Sequence, residues 1–94
     1  MHAKDQHTLR TTAHSLKPVV LLGTKGLTSA VLQEIDMALN THELIKIKLT
    51  GVEREDKKEL IATICQKLST ELVQQIGHIA VLYRKNLSLQ NNSA

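Results

Sequence analysis

Apolar residues recur along the chain at two spacings, one helical and one alternating, and these divide it into short helices and strands. Leu9, Ala13 and Leu16 stand at helical spacing among polar neighbours, so residues 4 to 15 read as a first helix. Pro18 cannot extend that helix and pushes Lys17 towards extended geometry. Val19-Val20-Leu21-Leu22 follows as an unbroken apolar run, the pattern of a strand buried on both faces in the middle of a sheet. Gly23 to Gly26 ends it. Thr28 is suited to cap a second helix, whose apolar stripe is Val31, Leu32, Ile35, Ala38 and Leu39 and which runs to about Thr41.

From Glu43 to Leu49 the period changes. Ile45, Ile47 and Leu49 alternate with Lys46 and Lys48, which predicts a half-buried strand with a basic outer face, closed by Gly51. Leu60, Ile61, Ile64, Cys65 and Leu68 form the stripe of a third helix, with Glu53, Glu55 and Asp56 at its positive end and Lys67 near its negative end. Leu72 to Ile76 and Ile79 to Tyr83 are two more strands, joined by Gly77-His78 as a two-residue hairpin.

The predicted order is α-β-α-β-α-β-β, an α/β domain. Two strand–helix–strand crossovers imply parallel pairings and the hairpin an antiparallel one, giving a mixed four-stranded sheet with helices mainly on one face. One domain is expected over 1–94, with an ordered core of about 4–85 and a polar tail at 86–94.

Composition narrows what such a domain does. A chain of 94 residues buries a thin core and has little room for a deep pocket, which disfavours an enzyme or a small-molecule substrate. Twelve Lys and Arg against nine Asp and Glu give a net charge of +3, a modest bias towards phosphate-bearing partners. Tyr83 is the sole aromatic residue, so binding of nucleic acid by stacked bases is disfavoured and contact through phosphate and sugar is favoured. Cys65 is the single cysteine and lies on a helix stripe, so a core position is expected. The five histidines do not stand at metal-ligand spacing, and no nucleophile–base pair emerges, so no metal, cofactor or catalytic residue is assigned. The polar start, Met1 to Thr12, and the shortness of the apolar runs predict no export and no membrane span, hence a cytoplasmic protein.

Three features could carry binding. Gly23-Thr24-Lys25-Gly26 is a G-x-x-G segment between a strand and a helix start, where free backbone N–H groups and the helix dipole favour an anion. The same letters fit a tight turn with a solvated lysine equally well. Lys46 and Lys48 could track a phosphate backbone, or could serve only as a soluble outer face that discourages edge pairing. His7, Arg10, His14 and Lys17 follow at three- and four-residue steps, and the first three share a helix face. That face is either solvated or a second phosphate-contact strip.

Leu16-Lys17-Pro18-Val19-Val20-Leu21-Leu22-Gly23-Thr24-Lys25-Gly26-Leu27-Thr28 resembles the signature segment of the CRM domain (chloroplast RNA splicing and ribosome maturation). His42-Glu43-Leu44-Ile45-Lys46-Ile47-Lys48 and Ile79-Ala80-Val81-Leu82-Tyr83-Arg84 resemble its second and final strands, so the likeness covers about residues 4–85. The form most similar is the bacterial single-domain YhbY type. The resemblance implies a fold like the C-terminal domain of bacterial translation initiation factor three. It also implies RNA binding and association with precursors of the large ribosomal subunit. The family's loop falls on Gly23 to Gly26, and its lysines and final arginine fall on Lys17, Lys46, Lys48 and Arg84. Contact with rRNA is therefore expected; the sequence leaves the oligomeric state open, with a monomer as the default. The alternative is an adaptor that docks on a ribosomal protein or assembly factor without touching RNA.

Overall fold

The computed structural model describes residues 6–23 and 25–85. In them the chain runs α1 (Gln6–His14), β1 (Val20–Leu22), α2 (Ser29–His42), β2 (Leu44–Leu49), α3 (Arg54–Leu68), β3 (Glu71–Ile76) and β4 (Ile79–Tyr83), the order that the periodicity predicts. The expected start of α1 at residues 4 and 5 lies outside the described residues, as does the polar tail from 86.

Each boundary has a local cause. The Thr28 hydroxyl accepts a hydrogen bond from the Val31 N–H at 3.1 Å and so caps α2. Glu53 stands at the N-cap of α3 without a side-chain cap, and Glu55 and Asp56 in the first turn complement the helix dipole instead. Gly77 opens the β3–β4 hairpin at φ +57, the left-handed value that a type II′ turn needs at its first central residue.

The strand order is β1-β2-β4-β3, which corrects two expectations. β1 and β2 are parallel neighbours, in register from Val20↔Ile47 to Leu22↔Leu49. β2 and β3 are not neighbours: the last strand, β4, inserts between them, antiparallel to both. The β2–α3–β3 crossover therefore skips one strand position. β1 is thus an edge strand and not a central one. Its residues alternate buried, exposed, buried, with Leu21 66% exposed and Val19 just before it 47% exposed.

Two hydrophobic layers enclose the sheet. One face carries Val20, Leu22, Ile45, Ile47, Leu49, Ala80 and Leu82, which pack with Ile35 and Leu39 of α2 and Ile61 and Ile64 of α3. Cys65 lies half-buried against this cluster. The other face holds a smaller cluster in which Leu9 and Ala13 of α1 meet Val73 and Val81, flanked by Leu16, Leu44 and Tyr83. A register shift between Leu72 and Gln74 leaves Val73 as the extra residue of a bulge and buries it among these α1 contacts. Two helices thus cover one face and the shorter α1 covers part of the other.

Candidate functional site

Registration of the strands places the connecting segments at two opposite ends of the sheet. At one end lie the turn after β1, the turn after β2, the starts of α2 and α3, and the β3–β4 hairpin turn. The His78 carbonyl accepts from the Leu49 N–H at 2.6 Å and ties that hairpin to the end of β2. All four glycines of the chain, at 23, 26, 51 and 77, stand at this end.

The G-x-x-G segment is a turn closed by the Gly26 N–H donating to the Gly23 carbonyl at 3.0 Å, two residues before the Thr28 cap. Gly26 has φ +73, which a side chain would strain, whereas Gly23 has no such requirement. A Cβ at either position would meet nothing within 4 Å, so the space beside this backbone is open. Lys25 is exposed at the tip, and Thr24 lies outside the described residues. The two readings of the segment are therefore compatible: it is a tight turn, and it leaves accessible backbone at a helix N-terminus where an anion is favoured.

The other expected cations distribute unevenly. Lys48 is exposed on the α1 side of β2, opposite Leu21 on one neighbour and Ile79 on the other, and so borders the loop end. Lys46, one step back on the same side, is half-buried, and its ammonium donates to the Leu16 carbonyl at 2.9 Å. It thereby fastens the exit of α1 to the sheet. Arg10, His14 and Lys46 line one groove with Gln74, Ile76 and Ile79, where α1 crosses the sheet. Lys17 is exposed in the α1–β1 connection and lines a different groove, with Val19, His42 and Tyr83, towards the far end.

Arg84 is at that far end. Its guanidinium donates to the Asp36 carboxylate at 2.8 Å, to the Leu68 carbonyl at 2.8 Å, to the Asn40 side-chain oxygen at 2.8 Å and to the Asp36 carbonyl at 3.2 Å. A cation at the last carbonyl of α3 also meets the negative end of its dipole. The residue links the end of β4 to both long helices, and its side chain is only 18% exposed. Of the expected contact residues, then, Gly23, Lys25, Gly26 and Lys48 gather at the loop end. Arg10 and Lys46 sit on the adjoining α1 face, and Lys17 and Arg84 lie at the opposite end.

One residue escaped the sequence reading. Lys57 is buried, and its ammonium donates to the Gly77 carbonyl at 3.2 Å, pinning α3 to the hairpin turn. Within the run Asp56-Lys57-Lys58-Glu59 nothing local marks it out. Elsewhere, burial raises the pKa of the Cys65 thiol, helped by the Glu71 carboxylate, so the thiolate is disfavoured at neutral pH. The Tyr83 phenol is raised as well, by burial and then by the Glu43 and Glu71 carboxylates. Among the described residues no cluster of three or more potential metal ligands occurs, and no helix is long and apolar enough to cross a membrane.

Comparison with known proteins agrees with this geometry. Residues 1–84 match the CRS1 / YhbY (CRM) domain. A Haemophilus influenzae protein named "RNA-binding protein" is 50% identical over 84 residues, covering 89% of this chain and 85% of its own length. A Pseudomonas aeruginosa protein, also named for RNA binding, is 49% identical over 73 residues, covering 78% of this chain and 70% of its own. The solution structure of a Staphylococcus aureus protein, described as a candidate RNA-binding protein, superposes with a TM-score of 0.74 at 36% identity. That match covers 85% of this chain and 83% of the other.

Proposed function

The chain belongs to the CRS1 / YhbY (CRM) domain family, and on that basis we propose that it is a non-catalytic protein that grips structured RNA at the loop end of its sheet. The observation that carries this reading is the open space beside Gly23 and Gly26, just before α2, with exposed Lys25 between them. Phosphates are the natural ligand of such a site, since backbone N–H groups and the helix dipole favour an anion beside glycines that carry no side chain. The names of the relatives supply the polymer, RNA. Thr24, Lys25 and Lys48 make the first contacts, and Arg10 extends them along α1. Lys46 reaches the groove rim, Lys17 serves as an outlying contact, and Arg84 acts by positioning the helices. In this reading the RNA is rRNA of a large-subunit (pre-50S) precursor, bound in the cytoplasm during assembly.

Filter binding with fragments of large-subunit rRNA tests it. Affinity should fall steeply with salt, and Lys25→Ala should flatten the slope by about one contact. Binding that ignores salt, or full affinity in a folded Gly26→Val variant, would overturn the reading. A second reading draws on Val19 and Leu21, exposed on the edge strand β1: docking on a ribosomal protein or another assembly factor. A pull-down of such a protein that survives nuclease treatment would favour it over direct RNA contact.

A further inference from the structure

Beyond the loop, the same end of the sheet holds a second basic feature that neither the loop nor the lysine strand includes. Arg54, Lys57 and Lys58, on the first turns of α3, line a cleft against Gln75 and Gly77 of the hairpin. Arg54 and Lys58 are four residues apart, so they stack on one helix face and repel each other. Both are exposed, and neither has a hydrogen-bond or ion-pair partner among the described residues. Lys57 between them is buried and donates to the Gly77 carbonyl, which also accepts from the Gln75 amide at 3.3 Å.

The acids that could neutralise this group stand elsewhere. Asp56 and Glu59 line a separate groove with Leu27, Leu60 and Thr63, on the α2 side of α3. Glu53 and Glu55 are exposed and line neither groove. At the start of α3 the cations thus face the hairpin, Asp56 and Glu59 face the α2 side, and Glu53 and Glu55 are exposed outside both grooves. A like-charged pair held in a cleft without a carboxylate is unfavourable alone and is relieved by an anion.

We infer that the Arg54/Lys58 cleft is a second phosphate-binding site for the same RNA, distinct from the G-x-x-G loop. This rests on the RNA-binding reading above and deepens it. β1 and β3 are the two outer strands, three inter-strand steps apart, or about 14 Å. The loop after β1 and the cleft beside β3 therefore take different phosphates. Two such contacts fix the orientation of an RNA across the sheet end, which a single loop cannot do.

The test compares the full-length protein with an Arg54→Ala/Lys58→Ala variant, using fragmented large-subunit rRNA across a salt series. A Lys67→Ala/Lys85→Ala variant removes the same charge from the opposite end and serves as the control. Urea midpoints establish that all are folded. Loss of two phosphate contacts weakens binding roughly tenfold or more near physiological salt and lowers the log–log salt slope by about 1.5. The control variant should stay near wild type. If the double variant keeps wild-type affinity and slope while Lys25→Ala loses both, the cleft is not a site and the loop reading stands. Equal weakening in the control also overturns the cleft, because total charge then explains the effect. If the wild-type protein binds no RNA, both readings fail together.

Discussion

The two ends of the sheet solve the same problem, reversing the chain, with different residues. At the loop end the left-handed positions are Gly26, Gly51 and Gly77, at φ +73, +81 and +57. At the far end they are Glu43 and Ser69, at φ 66 and 53, just past the C-termini of α2 and α3. Glycine adopts such angles freely and leaves open space beside the backbone. A side chain there must be held by its surroundings, and here it is. The backbone N–H groups of Glu43 and Ser69 donate to the Leu39 and Cys65 carbonyls, the Thr70 hydroxyl donates to the Tyr83 carbonyl, and Arg84 bridges both helices. The cations divide less cleanly. Both terminal nitrogens of Arg84 are bonded at the far end, and Lys25 and Lys48 face water at the loop end. But Lys17, Lys67 and Lys85 are exposed at the far end, and Lys57 is bonded at the loop end. The far end is thus closed by side chains, whereas the loop end is closed by glycine turns that leave open space beside Gly23 and Gly26.

Substitutions can break that division. The largest effect is expected from Arg84→Ala, which leaves the Leu68 carbonyl and Asp36 without their cation. Stability should fall by about 2 kcal/mol or more, read as the urea midpoint, while the folded fraction still binds RNA. Gly26→Val should cost about 1–2 kcal/mol because a β-branched residue must enter a left-handed angle, and it should also weaken RNA binding. Lys25→Ala should leave the midpoint within about 0.5 kcal/mol of wild type yet reduce RNA affinity roughly fivefold near physiological salt. An Arg84→Ala protein that unfolds no more readily than Lys25→Ala would abolish the contrast.

Gly23→Ala sharpens it further. With no left-handed angle to strain and nothing near its Cβ, it should not alter stability by more than about 0.5 kcal/mol, so any loss in a binding titration reports the ligand's approach alone. The smallest effect is electrostatic. Cys65 and Tyr83 hold their protons more tightly in the fold than their ordinary values of 9.0 and 10.0. The stability they add is whole below those values and is lost as pH rises through the raised ones. The stability difference between wild type and Cys65→Ala should therefore be constant up to about pH 8 and shrink above about pH 9.

Much of this was legible in the sequence. Every helix and strand, the Thr28 cap and the Gly77-His78 turn follow from spacing and residue type, because each depends on neighbours a few positions away. What was not legible depends on distant partners. Val19 to Leu22 reads as a central strand because four apolar residues look the same whether a neighbour lies on one side or two. Only the strand order, in which no strand pairs with the free side of β1, decides that it is the edge. Lys46 and Arg84 read as free cations, since their acceptors lie 30, 16 and 48 residues away. Lys57 is hidden for the same reason. The position of Gly23 to Gly26 between strand and helix was plain, but that every glycine shares one end of the sheet emerges only once the strands are in register.

The place of β4 bears on how the protein comes into being. The strand that fills the gap between β2 and β3 is the last one made, and Arg84 directly follows it. Until it emerges from the ribosome, β3 has no strand partner and β2 has only β1. The β3–β4 hairpin pairs locally, but β4 meets β2 only across a long stretch of chain, from Lys48↔Ile79 to Leu44↔Tyr83, the kind of contact that slows folding. The sheet is therefore complete only when β4 docks on β2 and joins the β1–β2 pair to the hairpin.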